Sequence, residues 1–263
     1  MDLKLTNKII LVTGASKGLG FACAKILTDE GANVILSSRT EENLISASEN
    51  IATETGIQPE WIAADVSKLN DINSLKTSIL EKYGTIDGIV INAGGPPPGA
   101  TLEMTEEQWQ SALDTNFLSV VRLSKAFTPI MQKKKFGRIV AVTSISAKLP
   151  LPNLVLSNAS RLAVIGFLKT LANDVAKDNV LINMVLPGTT NTGRLKQVIK
   201  KWAENENKTI EQVIKERTSQ IPVGRFGEPE EFGTFVTFLM SGRNTYITGQ
   251  SIPVDGGYIK SSL

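Results

Sequence analysis

A chain of 263 residues, 41% apolar and 21% charged, is long enough for one large α/β domain with a sizeable core and is ordinary for a globular enzyme. A formal net charge of +2 gives no reason to expect a nucleic-acid or membrane partner, and a single cysteine excludes an intramolecular disulfide or a cysteine-rich metal site. There is no histidine, which removes imidazole both as acid–base group and as metal ligand, so no metal is expected.

The run Ile9-Ile10-Leu11-Val12 reads as a strand buried on both faces. Thr13-Gly14-Ala15-Ser16-Lys17-Gly18-Leu19-Gly20 follows as a glycine-rich turn, and Phe21 to Leu27 reads as a helix ending near Gly31. Glycines there let the backbone approach a diphosphate, and the helix N-terminus offers free N–H groups and a positive dipole end. Tight strand-to-helix turns also recruit glycine for sterics, but strand, spaced glycines and helix in this order favour nucleotide binding. Cys23, among Phe21, Ala22 and Ala24, is expected on the buried side of this helix.

Further strands are read over Val34 to Leu36, Trp61 to Ala64, Ile86 to Ile91, Arg138 to Val142, Leu181 to Leu186 and near Ser251 to Val254. Helical patterns fill Glu41 to Thr53, Asp71 to Tyr83, Thr105 to Gln132, Val155 to Ala176 and Glu228 to Met240. Such alternation implies right-handed crossovers and a doubly wound parallel α/β sheet, a Rossmann fold with helices on both faces, as a single domain over 1–263. Lys133-Lys134-Lys135 reads as a solvated helix end. Without an apolar targeting core or a window approaching the length of a membrane span, the cytoplasm is the expected compartment.

Two segments break the rhythm. Gly94-Gly95-Pro96-Pro97-Pro98-Gly99 is a stiff loop after a strand. The long polar segment Thr189 to Gln220 carries Leu195, Val198, Ile199 and Trp202 at helical spacing. Loops at the C-terminal strand ends surround the ligand crevice of such sheets, so 189–220 is a candidate lid; a helical excursion on the surface is the alternative.

Together these motifs resemble the short-chain dehydrogenase/reductase family, particularly its β-ketoacyl-carrier-protein-reductase-like members. The resemblance covers nearly the whole chain and rests on the glycine loop, Asp65-Val66, Asn92-Ala93-Gly94-Gly95, Asn116, Gly137-Arg138-Ile139-Val140, Ser144, Pro187-Gly188 and Asp255-Gly256-Gly257. It implies a nicotinamide cofactor on Gly14, Ser16, Lys17, Gly18, Leu19 and Gly20. By the same analogy Asp65 and Val66 border the adenine, Asn92 the adjoining ribose region and Thr192 the nicotinamide side. Ala93, Gly94, Pro187 and Gly188 complete the implied cofactor-binding set. Where enzymes of the unphosphorylated cofactor usually carry a carboxylate after the second strand, this chain has Ser38 followed by Arg39. Arg39 can fork onto a 2′-phosphate and Lys17 can add a second cation, so NADP(H) is expected over NAD(H); the alternative is two surface residues.

The family places a tyrosine, and a lysine four residues later, on the helix after the serine matched by Ser144. Here Ser157 and Arg161 occupy those positions, and the tyrosines are Tyr83, Tyr246 and Tyr258. The implied catalytic set is Ser144, Asn116, Ser157 and Arg161, with Arg161 also able to hydrogen-bond the ribose. A serine alcohol is a far poorer acid than a phenol. Lys148 is therefore a candidate proton donor, against the alternative of an exposed loop lysine. Three functions stand: an NADP(H)-dependent oxidoreductase of ketone or β-ketoacyl carbonyls or the corresponding alcohols, a nucleotide-binding regulatory or structural protein without catalysis, and non-redox chemistry on the same fold. The first is favoured and the third ranks last. The resemblance also implies a homo-oligomer, a tetramer, for which the apolar Phe232, Phe235, Val236, Phe238, Leu239, Tyr246, Ile247 and Ile252 are the supporting residues.

Overall fold

Alternation along the first strand decides how the layers assemble. In the computed structural model, which describes residues 1–261, β1 (Ile9–Thr13) sends Ile9 and Leu11 into one core cluster and Ile10 and Val12 into another. A strand apolar on both faces must be covered on both, and parallel crossovers supply the helices that cover it. The result is a seven-stranded sheet of order β3-β2-β1-β4-β5-β6-β7, every neighbouring pair parallel. Its remaining strands are β2 (Asn33–Ser38), β3 (Glu60–Ala63), β4 (Gly88–Ile91), β5 (Gly137–Val142), β6 (Val180–Pro187) and β7 (Ser251–Val254). The order steps outward from β1 to β3, returns to β4 beside β1, and then steps outward the other way. That reversal leaves a crevice beyond the C-terminal ends of β1 and β4.

The helices are α1 (Gly18–Asp29), α2 (Glu41–Thr55), α3 (Leu69–Tyr83), α4 (Glu106–Leu113), α5 (Ser119–Lys134), α6 (Val155–Val175), α7 (Gly193–Glu206), α8 (Ile210–Ser219) and α9 (Pro229–Met240). Residues of α1, α2 and α9 share one core cluster with β1 and β2, and residues of α3, α5 and α6 share the other. Cys23 is fully buried in α1, and burial pushes its thiol up to about 12.

Three expectations are corrected. The helix read over 105–132 is two helices joined by a π turn at Asp114–Leu118. The wider turn carries Asn116 inward, where its amide meets the Gly94 carbonyl, the kind of local irregularity found at functional positions. The strand read from Ile86 starts at Gly88; just before it the buried Asp87 carboxylate takes the Ile9 N–H at 3.0 Å. The basic run at 133–135 is the exposed helix end expected, with Lys134 also paired to Asp87 at 2.6 Å and Lys135 to Asp178. Finally, Val155–Asp178 is long and apolar enough to cross a membrane by composition. Its Val164, Leu168, Ala172 and Val175 pack into the sheet's core cluster.

The segment expected as a lid folds as α7 and α8, capped by Thr192 and Thr209, around a small core of Leu195, Ile199, Ala203 and Val213. Arg217 stacks on the Trp202 ring at 4.8 Å.

Candidate active site

The crevice begins at the glycine loop, whose shape is set by close backbone approach. Gly14 has a φ of +57°, and a Cβ on Gly20 would stand 2.3 Å from the Gly14 carbonyl oxygen, so only glycine fits. Asn92 braces the turn: its Nδ2 donates to the Gly14 carbonyl at 3.1 Å, while Thr13 Oγ1 exchanges hydrogen bonds with the Asn92 backbone. The Asn92 side chain thus supports the loop. No side chain caps the N-terminus of α1 at Lys17, which leaves its first-turn N–H groups for a ligand. Ser16 lies partly buried in this loop, and Leu19 packs against the α1–α9 core.

At the end of β2 the hydroxyls of Ser37 and Ser38 are buried without a partner, and Arg39 stands exposed beyond them. Buried hydroxyls are normally hydrogen-bonded, so this pair is laid out for an acceptor or donor from outside the chain. Burial raises the Asp65 carboxyl, but hydrogen bonds from the Ser67 side chain and backbone, with the Arg39 and Lys68 charges, outweigh it and hold Asp65 below its ordinary value. Val66 packs against the core alongside it. Lys17 is exposed on the rim of the loop.

The far side of the crevice is built from side chains. Ser144, at the end of β5, accepts from the Ser146 N–H at 3.1 Å, and Ser146 Oγ lies 3.1 Å from Ser157 Oγ on α6. Ser144 and Ser157 are therefore linked through Ser146. Asn116 Nδ2 donates to the Gly94 carbonyl at 2.9 Å, and its Oδ1 is buried without a partner. Ala93 lies between Asn92 and Gly94, partly buried. Arg161, one helical turn beyond Ser157, turns inward and donates through Nη1 to the Val142 carbonyl at 2.9 Å; its Nε is buried and unpaired. Burial lowers the Arg161 guanidinium to about 10 and the charge of Arg194 pushes the same way, so Arg161 remains charged at neutral pH.

Pro187 ends β6, and Gly188 packs so closely on Asp255 that a Cβ there would stand 2.7 Å from the Asp255 Cα. Thr192 reaches over the glycine loop, its Cγ2 3.6 Å from where a Gly18 Cβ would lie. Two residues on, Arg194 spans to the other wall, its Nη1 3.5 Å from the Gly95 carbonyl. Lys148 is exposed, without the burial that a lysine proton donor requires. It lines a cavity of about 630 Å³ with Leu149, Ser219, Gln220 and Tyr258. Among the described residues no cluster of three or more His, Cys, Asp or Glu is placed to hold a metal.

A family model described as Enoyl-(Acyl carrier protein) reductase matches residues 14–259. The 3-oxoacyl-[acyl-carrier-protein] reductase FabG of Chlamydia muridarum is 34% identical over 257 residues, 98% of this chain and 99% of that protein. Dehydrogenase/reductase SDR family member 4 of Homo sapiens is 35% identical over 254 residues, 96% of this chain and 88% of that one. The chain belongs to the short-chain dehydrogenase/reductase family. The L-sorbose reductase of Gluconobacter frateurii, solved with NADPH and L-sorbose, superposes on this family member with a TM-score of 0.94 at 30% identity, covering 99% of this chain and 100% of that one. Actinorhodin polyketide ketoreductase, solved with NADPH as a single-substitution variant, gives 0.91 at 30% identity over 96% and 97% of the two chains.

For a short-chain dehydrogenase/reductase the uncapped α1, the glycine cradle and the orphaned Ser37 and Ser38 hydroxyls fit a dinucleotide. Two site residues escaped the sequence. Ser146 is signalled only by its place two residues after Ser144, and Arg194 only by its place two residues after Thr192.

Proposed function

We propose that this short-chain dehydrogenase/reductase is an NADP(H)-dependent oxidoreductase of ketone or β-ketoacyl-type carbonyls, or the corresponding alcohols, in which Ser157 and Arg161 stand where the family has tyrosine and lysine. The observation that carries the reading is the serine cluster at the end of β5 and on α6, in which Ser144 Oγ accepts from the Ser146 N–H and Ser146 Oγ meets Ser157 Oγ. The FabG, L-sorbose and polyketide relatives, all named as reductases, support it. Ser38 with Arg39 and Lys17, in place of a carboxylate, supports NADP(H) over NAD(H). When bound, the nicotinamide supplies the hydride.

The chain's residues manage position and charge. The Ser146 N–H occupies a lone pair of Ser144 Oγ and leaves the Ser144 hydroxyl proton to donate to a substrate oxygen. The Arg161 charge favours negative charge developing on that oxygen. Ser157 and Ser146 share a hydrogen bond in which either hydroxyl can donate, which fixes both side chains in the wall. Asn116 holds the Gly94 backbone and with it the loop that walls the site. The α7–α8 unit is proposed as the lid, with Thr192 at its hinge above Gly18.

A nucleotide-binding protein without catalysis is the second reading, favoured by the absence of a phenol on α6. Titration with NADPH and NADH, followed by a turnover screen of carbonyls and alcohols, separates the two. Tight NADPH binding with turnover supports the enzyme, and binding without any turnover supports the second reading. For the working form we propose a cytoplasmic homotetramer. Tyr246, 97% exposed, and the partly exposed Phe235, Phe238 and Ile252 support an assembly surface, while Phe232, Val236 and Leu239 belong to the core. A monomer by light scattering at micromolar concentration would refute it.

A further inference from the structure

Beyond the C-terminal ends of β5, β6 and β7 lies a cavity that the dinucleotide reading does not use. The cofactor features stand on the other half of the sheet: the glycine loop follows β1, Ser38 closes β2 with Arg39 after it, and Asp65 follows β3. The cavity, of about 630 Å³, is walled by Lys148 and Leu149 after β5, by Gln220 at the end of α8, and by Tyr258, Ile259 and Lys260 after β7. That volume falls in the range of about 300–1,000 Å³ that small-molecule sites occupy, and the carboxyl ends of strands are where such sheets place their ligands.

Each of its three walls is held by hydrogen bonds. The Lys148 and Leu149 N–H groups both donate to the Ile145 carbonyl at 2.9 Å, and the Asn158 side chain ties Leu151 to α6. The Asp255 carboxylate accepts the Gly257 and Ile259 N–H groups at 2.9 Å each, which shapes the segment after β7. The Val223 N–H donates to the Gly256 carbonyl at 3.2 Å, and a Cβ on Gly256 would stand 2.8 Å from Ile221 Cγ2, so the chain after α8 is fastened to that segment. The lining is one-sided in charge. Lys148 and Lys260 bring two ammonium groups, Tyr258 a hydroxyl and Gln220 an amide, beside the apolar Leu149 and Ile259, and no lining residue is acidic. Among the described residues neither lysine forms an ion pair. Two cations in one cavity without a counter-charge make a positive potential that favours an anion.

The geometry points to this cavity as the seat of a carboxylate at the far end of the carbonyl substrate, held by Lys148 and Lys260. The inference rests on the reductase reading above and narrows its substrate class to carbonyl compounds with a remote acid group. The distance follows from the path of the chain. Ser144 caps the 3₁₀ turn Ile145–Ala147 and Lys148 ends it, which sets the two roughly 6–8 Å apart at about 2 Å of rise per residue. An acid group on the cavity lysines therefore stands several bonds from a carbonyl on Ser144. The phosphates of the cofactor carry the same charge, and the test distinguishes the two sources.

The NADP⁺ complex is titrated calorimetrically with oxo acids whose carboxylate lies three to eight carbons from the carbonyl, and with their methyl esters. At least one acid is expected to bind about ten-fold or more tighter than its ester, the worth of one charge-assisted hydrogen bond. Lys148→Gln and Lys260→Gln should each cut that preference by about three-fold or more, and the double variant should bring acid and ester within about two-fold. Both lysines are exposed, so the substitutions leave the core intact. NADPH affinity, measured separately, should change by less than about two-fold in all three variants. Equal binding of acids and esters by the parent, or no saturable binding of any acid, overturns the assignment. So does an acid preference that survives the double substitution, which puts the anion elsewhere. A double variant that loses NADPH affinity and keeps its acid preference overturns it too, by giving the lysines to the cofactor phosphates. Acid-selective binding that the double substitution abolishes, without NADPH oxidation by any carbonyl, leaves the cavity assignment standing and overturns the reductase reading. Oxidation of NADPH by esters with no preference for acids does the reverse.

Discussion

The two walls of the crevice are made of different material. Around Gly14 the wall is backbone: glycines pressed against carbonyls, Thr13 and Asn92 hydrogen-bonding main chain, and the bare N-terminus of a helix. Around Ser144 it is side chain: the hydroxyl of Ser144 on the Ser146 N–H, the paired hydroxyls of Ser146 and Ser157, an amide with one unpaired atom and an inward arginine with another. A wall of backbone serves any ligand that brings a diphosphate, whereas a wall of side chains is specific to one chemistry and changes with single substitutions. Ser157 and Arg161, the proposed departures from the family pattern, both lie in the second.

The sharpest way to break the backbone wall is Gly20→Ala. The added Cβ meets the Gly14 carbonyl oxygen at 2.3 Å and Asn92 Nδ2 at 2.7 Å, so the loop backbone has to shift to admit it. A stability loss of about 1–3 kcal/mol in urea unfolding is expected, as for an overpacked core. Fluorescence titration should also find NADPH binding lost; binding at the parent's affinity would show that the loop tolerates displacement.

Arg39→Asp sharpens the comparison from the cofactor's side without touching the loop. Removing one charge-assisted contact to the 2′-phosphate should cost about 1.5–3 kcal/mol of NADPH affinity and leave NADH affinity nearly unchanged. A parent that binds both cofactors equally would sink the proposed preference.

On the side-chain wall a smaller effect is expected from Ser146→Ala, which leaves the Ser157 hydroxyl without its partner at 3.1 Å. A loss of about 1 kcal/mol in transition-state stabilisation, roughly five-fold in turnover, follows from one neutral hydrogen bond. NADPH affinity should stay within about two-fold. A matching loss of affinity would mean that Ser146 supports the fold of the site and not its chemistry.

The same division explains what was legible in the sequence. Buried strands and spaced glycines announce themselves by period and steric need, so β1, the loop and α1 could be read to within a few residues. The π turn at Asp114–Leu118 leaves no mark on helical periodicity, and Thr105 to Gln132 therefore read as one helix. The direction of Arg161 was equally hidden. Its place on α6 follows from spacing, but its turn toward the Val142 carbonyl depends on the neighbouring strand. Arg194 and Gly95 lie 99 residues apart, and nothing local in either segment signals that they meet.

The central claim is that the serine-lined wall still performs carbonyl chemistry. The most direct measurement is NADPH oxidation by the parent and by Ser144→Ala, side by side across one panel of ketones, β-ketoacyl thioesters and oxo acids. The expected result is turnover of at least one carbonyl by the parent, reduced by about 10²–10³ in Ser144→Ala, the cost of losing one donor to a developing oxyanion. Turnover that is unchanged in Ser144→Ala, or a parent that binds NADPH tightly and oxidises it with no carbonyl at all, would contradict the claim.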